Sequence, residues 1–173
     1  ALAVELRALV AVVVVAADLA DPAAPAGLVE ELDRRGVRIR ILVNNAGYGM
    51  PGRYRSNDWT AHAAFLQVMV TSVCELTWRL LPAIRTSGQG RILNVASLAG
   101  LGPAPLLAPY ALTKHAVVGL STSLRMEAAP RGVKVSTLCP AAIETPILDS
   151  ENPSQFGIKW SPNMRRFLTA LAG

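Results

Sequence analysis

The chain has 173 residues, of which 51% are hydrophobic and 17% charged, and its net charge is +5. That balance argues against disorder, and the length suits one domain with a core of its own. The arginines are scattered, with no basic run and no aromatics set to stack on bases, so a nucleic-acid partner is not expected.

Residues 1–9 are good helix formers and read as the end of a helix. Residues 10–17, nearly all Val and Ala, read as a parallel strand buried on both faces. The apolar run of residues 8–17 is too short for a bilayer, which takes about 20 residues, so no membrane partner is expected. Asp18-Leu19-Ala20-Asp21-Pro22 closes this strand. Asp21 and Pro22 start a helix with Leu28 and Leu32 on its apolar face, running to about Arg35 and stopped by Gly36. Residues 39–43 form the next strand and lead into Asn44-Asn45-Ala46-Gly47.

A long helix follows, capped by Ser56 or Asn57 with Asp58 in its first turn. It passes through Trp59, Phe65, Val73 and Leu80 to about Ile84, with at most one break and with its last turn loosened by Pro82. Gly88 and Gly90 turn the chain into a strand at residues 91–96. The next helix has Pro109 in its first turn and runs to about Ala128, where Pro130 and Gly132 end it. A strand at residues 134–138 comes next, then a loop-rich stretch with a short helix near residues 163–171. Alternating strands and helices predict a doubly wound parallel α/β sheet, a single domain over residues 1–173.

Three motifs are weighed for chemistry. Gly47-Tyr48-Gly49-Met50-Pro51-Gly52 matches the dinucleotide fingerprint on paper. That fingerprint needs a helix opening among its glycines and an acid about 20 residues on. Pro51 opens no helix, and Leu66, Gln67, Val68 and Met69 carry no acid, so the glycines read as loop punctuation. Ser97 has Val95 two positions before it rather than Gly, and neither His62 nor His115 has an evident acid partner, which rejects a serine hydrolase. The two histidines read as structural or surface residues.

Tyr110 and Lys114 are four apart on a helix and so share a face. Alone, that spacing is common on surface helices. Ser97, at the end of a buried strand, can bring its hydroxyl to the same point as the phenol and the ammonium. Such a cluster suits proton transfer. Cys74 and Cys139 have neither metal-ligand spacing nor the density of a disulfide framework. Two buried thiols in a reducing compartment are expected, with no metal. The start lacks the marks of a secretory leader, which makes the expected setting cytoplasmic.

Asn44-Asn45-Ala46-Gly47, then Ser97, then Tyr110-x-x-x-Lys114, in that order and at these separations, resemble the short-chain dehydrogenase/reductase family over about residues 8–145. The resemblance implies a Rossmann-like fold and hydride transfer between a carbonyl or secondary alcohol and NAD or NADP. It gives Tyr110 the proton on the substrate oxygen, Ser97 a hydrogen bond to that oxygen, and Lys114 the nicotinamide ribose. Lys114 and the oxidised nicotinamide would favour the phenolate. Asp18 and Leu19 match the pair beside the adenine ring. Asn44 would hold the strand end, while Ala46 and Gly47 let the dinucleotide approach. Pro140, Ile143 and Thr145 match the segment on the nicotinamide side.

The sequence departs from that pattern at several points. The glycine-rich phosphate loop has no counterpart before Asp18, so the first two strands, and the last strand, are expected to be missing and the chain to be a partial copy. Met69 stands where the family has Asn, and Ala141 where it usually has Gly. The rival reading is a non-catalytic Rossmann-like binding protein or an inactive fragment. A sugar-nucleotide epimerase shares Tyr-x-x-x-Lys but fits Asn44-Asn45-Ala46-Gly47 poorly. The partners implied are a small-molecule carbonyl or alcohol, partly apolar, lined by residues 50–54, 101–107 and 147–160, and further copies of the chain in a homodimer or homotetramer.

Overall fold

The computed structural model describes residues 2–141. Its elements are α1 (Leu2–Arg7), α2 (Ala24–Arg34), β1 (Ile41–Asn44), α3 (Trp59–Leu66), a π-helical turn (Gln67–Thr71), α4 (Ser72–Thr86), β2 (Arg91–Val95), a 3-10 turn (Leu98–Gly100), α5 (Ala108–Ala128) and β3 (Lys134–Leu138). The strands form one parallel sheet in the order β1-β2-β3. Leu42 pairs with Ile92, Asn44 with Asn94, and Ile92 with Val135. Parallel neighbours need a crossover, which α3–α4 and α5 provide. This is the expected α/β arrangement in incomplete form.

Side chains alternate across the sheet, so one face carries Leu42, Asn44, Ile92, Asn94 and Val135. This face lies beneath α4 and α5, where Leu80, Ile84, Ile92, Ala128, Val133 and Val135 close a core, with Val73, Ala96 and Val117 packed nearer the carboxyl ends of the strands. Ile41, Val43 and Leu138, on the other face, are each about half exposed. Helix α2 packs against α4.

Three expectations are corrected. Residues 10–17 do not form a strand. Val10, Val13 and Val14 are more than half exposed, because no neighbouring strand lies alongside to accept their main-chain hydrogen bonds. The long helix is capped by Asp58, whose carboxylate accepts the Ala61 N–H at 2.7 Å, rather than by Ser56 or Asn57. Its break is a π-helical turn, after which it continues beyond Pro82 to Thr86. The thiols are not both buried: Cys74 is exposed and Cys139 half-buried, each free. The expected helix near residues 163–171 lies outside the described residues.

Candidate active site

Strand β2 ends at Val95. The Ala96 N–H still bonds the Leu138 carbonyl at 2.8 Å, and the Leu98 N–H bonds the Pro140 carbonyl at 2.9 Å. Between them Ser97 is held in extended backbone at the carboxyl edge of the sheet, capping the 3-10 turn through its hydroxyl, which accepts the Ala99 N–H at 3.2 Å. The Tyr110 phenol lies near enough to this hydroxyl for Ser97 to favour its ionised form. Pro109 in the first turn of α5 starts the helix, so that Tyr110 and Lys114 fall on one face.

Lys114 is 7% exposed. Its Nζ donates to the Val95 carbonyl at 2.8 Å and stands 5.5 Å from the centre of the Tyr110 ring. Burial pulls the Lys114 ammonium below its ordinary range, with Cys139 acting the other way. Burial likewise pushes the Tyr110 phenol above its ordinary range, and Ser97 opposes that rise. In the protein alone the phenol is therefore not lowered by Lys114 in the way the resemblance suggested. The ammonium is directed at a main-chain carbonyl.

Leu19 packs on the same apolar cluster as Tyr110, and Asp18, Asn44, Gly47 and Pro140 have partners of their own. Asn44 ends β1 and ties it down, its amide donating to Asn94 Oδ1 at 2.8 Å and to Thr77 Oγ1 at 3.1 Å. Ala46 and Gly47 follow in the turn, where Met69 of the π-helical turn lies against Gly47. Leu19 and Tyr110 both pack on the cluster of Met50, Phe65, Val68 and Met69. Burial pushes the Tyr48 phenol above its ordinary range, and the Asp18 carboxylate adds to that rise. Leu19 and Tyr110 thus share one apolar cluster, and its Met69 also lies against Gly47. Pro140 is fixed through its carbonyl beside Ser97. Ile143 and Thr145 lie outside the described residues.

Sequence reasoning missed the buried polar chain beneath the site. Asn94 is fully buried; its amide donates to Ser121 Oγ at 2.8 Å, and the Ser121 hydroxyl donates to the Val117 carbonyl at 2.6 Å. An Asn inside the apolar strand R-I-L-N-V was the available signal, since a buried amide must find partners. The histidines have local roles. His62 Nε2 bonds the Tyr54 carbonyl at 3.1 Å, and His115 Nδ1 the Ala111 carbonyl at 2.8 Å.

The residues fit the nicotinamide end of a dinucleotide. A hydroxyl, a phenol and an ammonium stand at the carboxyl end of β2, the groups that a ribose and a carbonyl would need. The glycines of residues 47–52 lead through a loop to Asp58 and do not open a helix. Among the described residues no three metal-ligating side chains cluster.

The family model described as short chain dehydrogenase matches residues 1–155. Oxidoreductase UcpA of Escherichia coli (strain K12) is 34% identical over 137 residues, which are 79% of this chain and 52% of that protein. The chain therefore spans about half the length of this curated relative. The short-chain dehydrogenase from Sphingobium yanoikuyae in complex with NADPH superposes with a TM-score of 0.77 at 34% identity, covering 85% of this chain and 58% of that one. A 4-hydroxyisoleucine dehydrogenase complexed with NADH superposes with a TM-score of 0.67 at 26% identity, covering 79% of this chain and 62% of that one. With the matched family model spanning most of its length, and with the fold of these dehydrogenases, the chain belongs to the short-chain dehydrogenase family.

Proposed function

We propose that the chain carries the reaction centre of an NAD(P)-dependent oxidoreductase that interconverts a carbonyl and a secondary alcohol. The observation that carries this reading is the convergence of Ser97, Tyr110 and Lys114 at the carboxyl end of β2, where the Lys114 ammonium bonds the Val95 carbonyl and stands 5.5 Å from the Tyr110 ring. A bound nicotinamide supplies or accepts the hydride.

In reduction, the phenol of Tyr110 gives its proton to the substrate oxygen, and in oxidation it takes it back. Ser97 donates a hydrogen bond to that oxygen and fixes its place beside the phenol. Lys114 holds the nicotinamide ribose, the hydroxyls of which would share the ammonium with the Val95 carbonyl. Asp18 and Leu19 would flank the adenine, the Asn44–Gly47 turn would carry the adenosine ribose, and Pro140 would border the carboxamide. The NADPH of the Sphingobium enzyme and the NADH of the 4-hydroxyisoleucine dehydrogenase support either dinucleotide as cofactor.

We place the protein in the cytoplasm, where its two free thiols would stay reduced. It works as a homodimer or homotetramer through α4 and α5, on which Trp78, Leu112 and Met126 are each more than half exposed. Titration with NADH and NADPH, together with turnover of a carbonyl by wild type and Tyr110→Phe, tests the function. Dinucleotide binding in both proteins, with turnover in wild type alone, is the expected result. Turnover retained in Tyr110→Phe would remove the phenol from the mechanism, and absence of binding in the folded protein would favour the non-catalytic reading.

A further inference from the structure

Residues 98–109, Leu-Ala-Gly-Leu-Gly-Pro-Ala-Pro-Leu-Leu-Ala-Pro, contain no polar side chain. They join Ser97 to Tyr110, so the loop begins and ends at the two residues read as the reacting pair. Burial of a core does not account for its composition. Leu98 is 54% exposed, Leu101 60% and Leu106 48%. Exposed apolar side chains grouped on one short loop beside a site mark a surface meant to be covered by a ligand.

The backbone shows that one of these leucines is held out deliberately. Leu106 has φ 62°, a left-handed conformation, and it is the only residue other than glycine with positive φ among the described residues. Its carbonyl accepts the N–H of Gly52 at 2.8 Å, and Gly52 itself lies at φ 124°. Gly52 belongs to the loop that leaves the Asn44–Gly47 turn through buried Met50. The two loops flanking the site are therefore joined main chain to main chain, at residues whose backbone is unusual on both sides. A leucine in this conformation persists where the surroundings over-determine it, and such residues gather at ligand-holding sites.

Resting on the reading of the site as a carbonyl–alcohol centre, we propose that its substrate carries an apolar alkyl or aryl group beside the carbonyl, and that Leu106, held by the Gly52 amide, is a specificity-determining residue contacting that group. Only Ser97 and Tyr110 offer side-chain hydrogen bonds along this wall. A hydroxylated or anionic substituent laid on it would lose its water and gain no partner. An alkyl or aryl substituent would cover Leu98, Leu101 and Leu106 and suffer no such loss.

The experiment compares acetophenone with dihydroxyacetone as substrates of the wild-type chain with NADPH and NADH. Acetophenone should show a kcat/KM at least about tenfold higher, and Leu106→Ser and Leu101→Ser should each narrow that ratio at least about fivefold. Equal use of the two ketones, or a ratio unmoved by both variants, overturns the inference. Saturation-transfer NMR on the same proteins reads the contact without turnover. Transfer from wild type to the acetophenone ring protons, reduced in Leu106→Ser, supports the apolar wall even if no ketone is reduced, in which case the carbonyl–alcohol reading alone fails. Absent or unchanged transfer overturns the wall itself.

Discussion

The sulfur of Met69 accepts the main-chain N–H of Tyr48 at 3.4 Å and lies against Gly47, where an added Cβ would stand 2.8 Å from it. Met69 is 3% exposed, packed among Met50, Phe65 and Val68. Met69 thus serves as the floor of the Asn44–Gly47 turn, and it imposes a small residue at position 47.

Gly47→Ala should destabilise the protein by about 1–3 kcal/mol, the usual cost of overpacking. Met69→Ala should cost about 2–5 kcal/mol through the cavity it leaves. Because the second change makes room for the first, the double variant should be more stable than the sum by at least about 0.5 kcal/mol. Urea unfolding of the four proteins measures this, and strict additivity would show that the two side chains do not compete for one space.

The buried amide of Asn94 bridges Asn44 on β1 to Ser121 on α5. Asn94→Leu keeps the volume but takes one hydrogen bond from each neighbour, while Asn44 keeps Thr77 Oγ1 and Ser121 keeps the Val117 carbonyl. At about 0.5–1.5 kcal/mol for each lost bond the change should be about 1–3 kcal/mol. Ser121→Ala should cost less, because Asn44 keeps its partner. A lower urea midpoint at unchanged slope is the expected signature. A loss in Ser121→Ala equal to that in Asn94→Leu would place the weight of the chain elsewhere.

How far these features were legible depends on whether they were local. The strand at residues 134–138 and the helix ending near Ala128 follow from apolar runs bounded by Pro130 and Gly132, and the structure has both. Tyr110 and Lys114 share a face because helical spacing alone requires it. The failure at residues 10–17 has a physical cause: an apolar run shows strand propensity, but a strand exists only with a neighbour, which composition does not reveal. The π-helical turn at Met69 is invisible for a related reason. Gln-Val-Met-Val-Thr suits any helix, and only its packing against Gly47 and Tyr48 sets it apart. The Leu106–Gly52 contact joins residues 54 apart and has no local sequence signal beyond the glycine.

Reduction draws its proton from Tyr110, whose phenol burial pushes above its ordinary range. For carbonyl reduction, kcat/KM should therefore stay level through about pH 9 and fall only beyond the ordinary tyrosine value of about 10. Alcohol oxidation, which needs the phenolate, should rise over the same range. A fall in reduction centred near neutrality would assign the proton to another group. The same shift bears on stability. The raised phenol makes a contribution that is complete below about pH 10 and is lost as pH rises through the folded value. The lowered Lys114 acts in the opposite sense, because its unfolded form binds more protons between the folded value and about 10.5, so stability rises there. Tyr110→Phe lacks the loss that the phenol brings, so the stability of that variant relative to wild type should climb as pH rises above about 10.

Lys114→Met separates the two roles that the geometry gives Lys114. The methionine keeps most of the aliphatic stem but loses the charge and the hydrogen bond to the Val95 carbonyl. Burial already disfavours that charge, so the gain from removing it offsets the lost hydrogen bond, and the unfolding free energy should change by no more than about 1 kcal/mol. Dinucleotide affinity should fall at least about tenfold, the equivalent of losing a charge-assisted hydrogen bond of about 1.5–3 kcal/mol. Tyr110→Phe should do the reverse, keeping affinity while losing turnover. Calorimetric titration with NADH and NADPH beside thermal unfolding measures both quantities on each variant. If Lys114→Met loses stability and affinity in parallel, Lys114 is a packing residue at the end of β2, and the ribose must be held by another group.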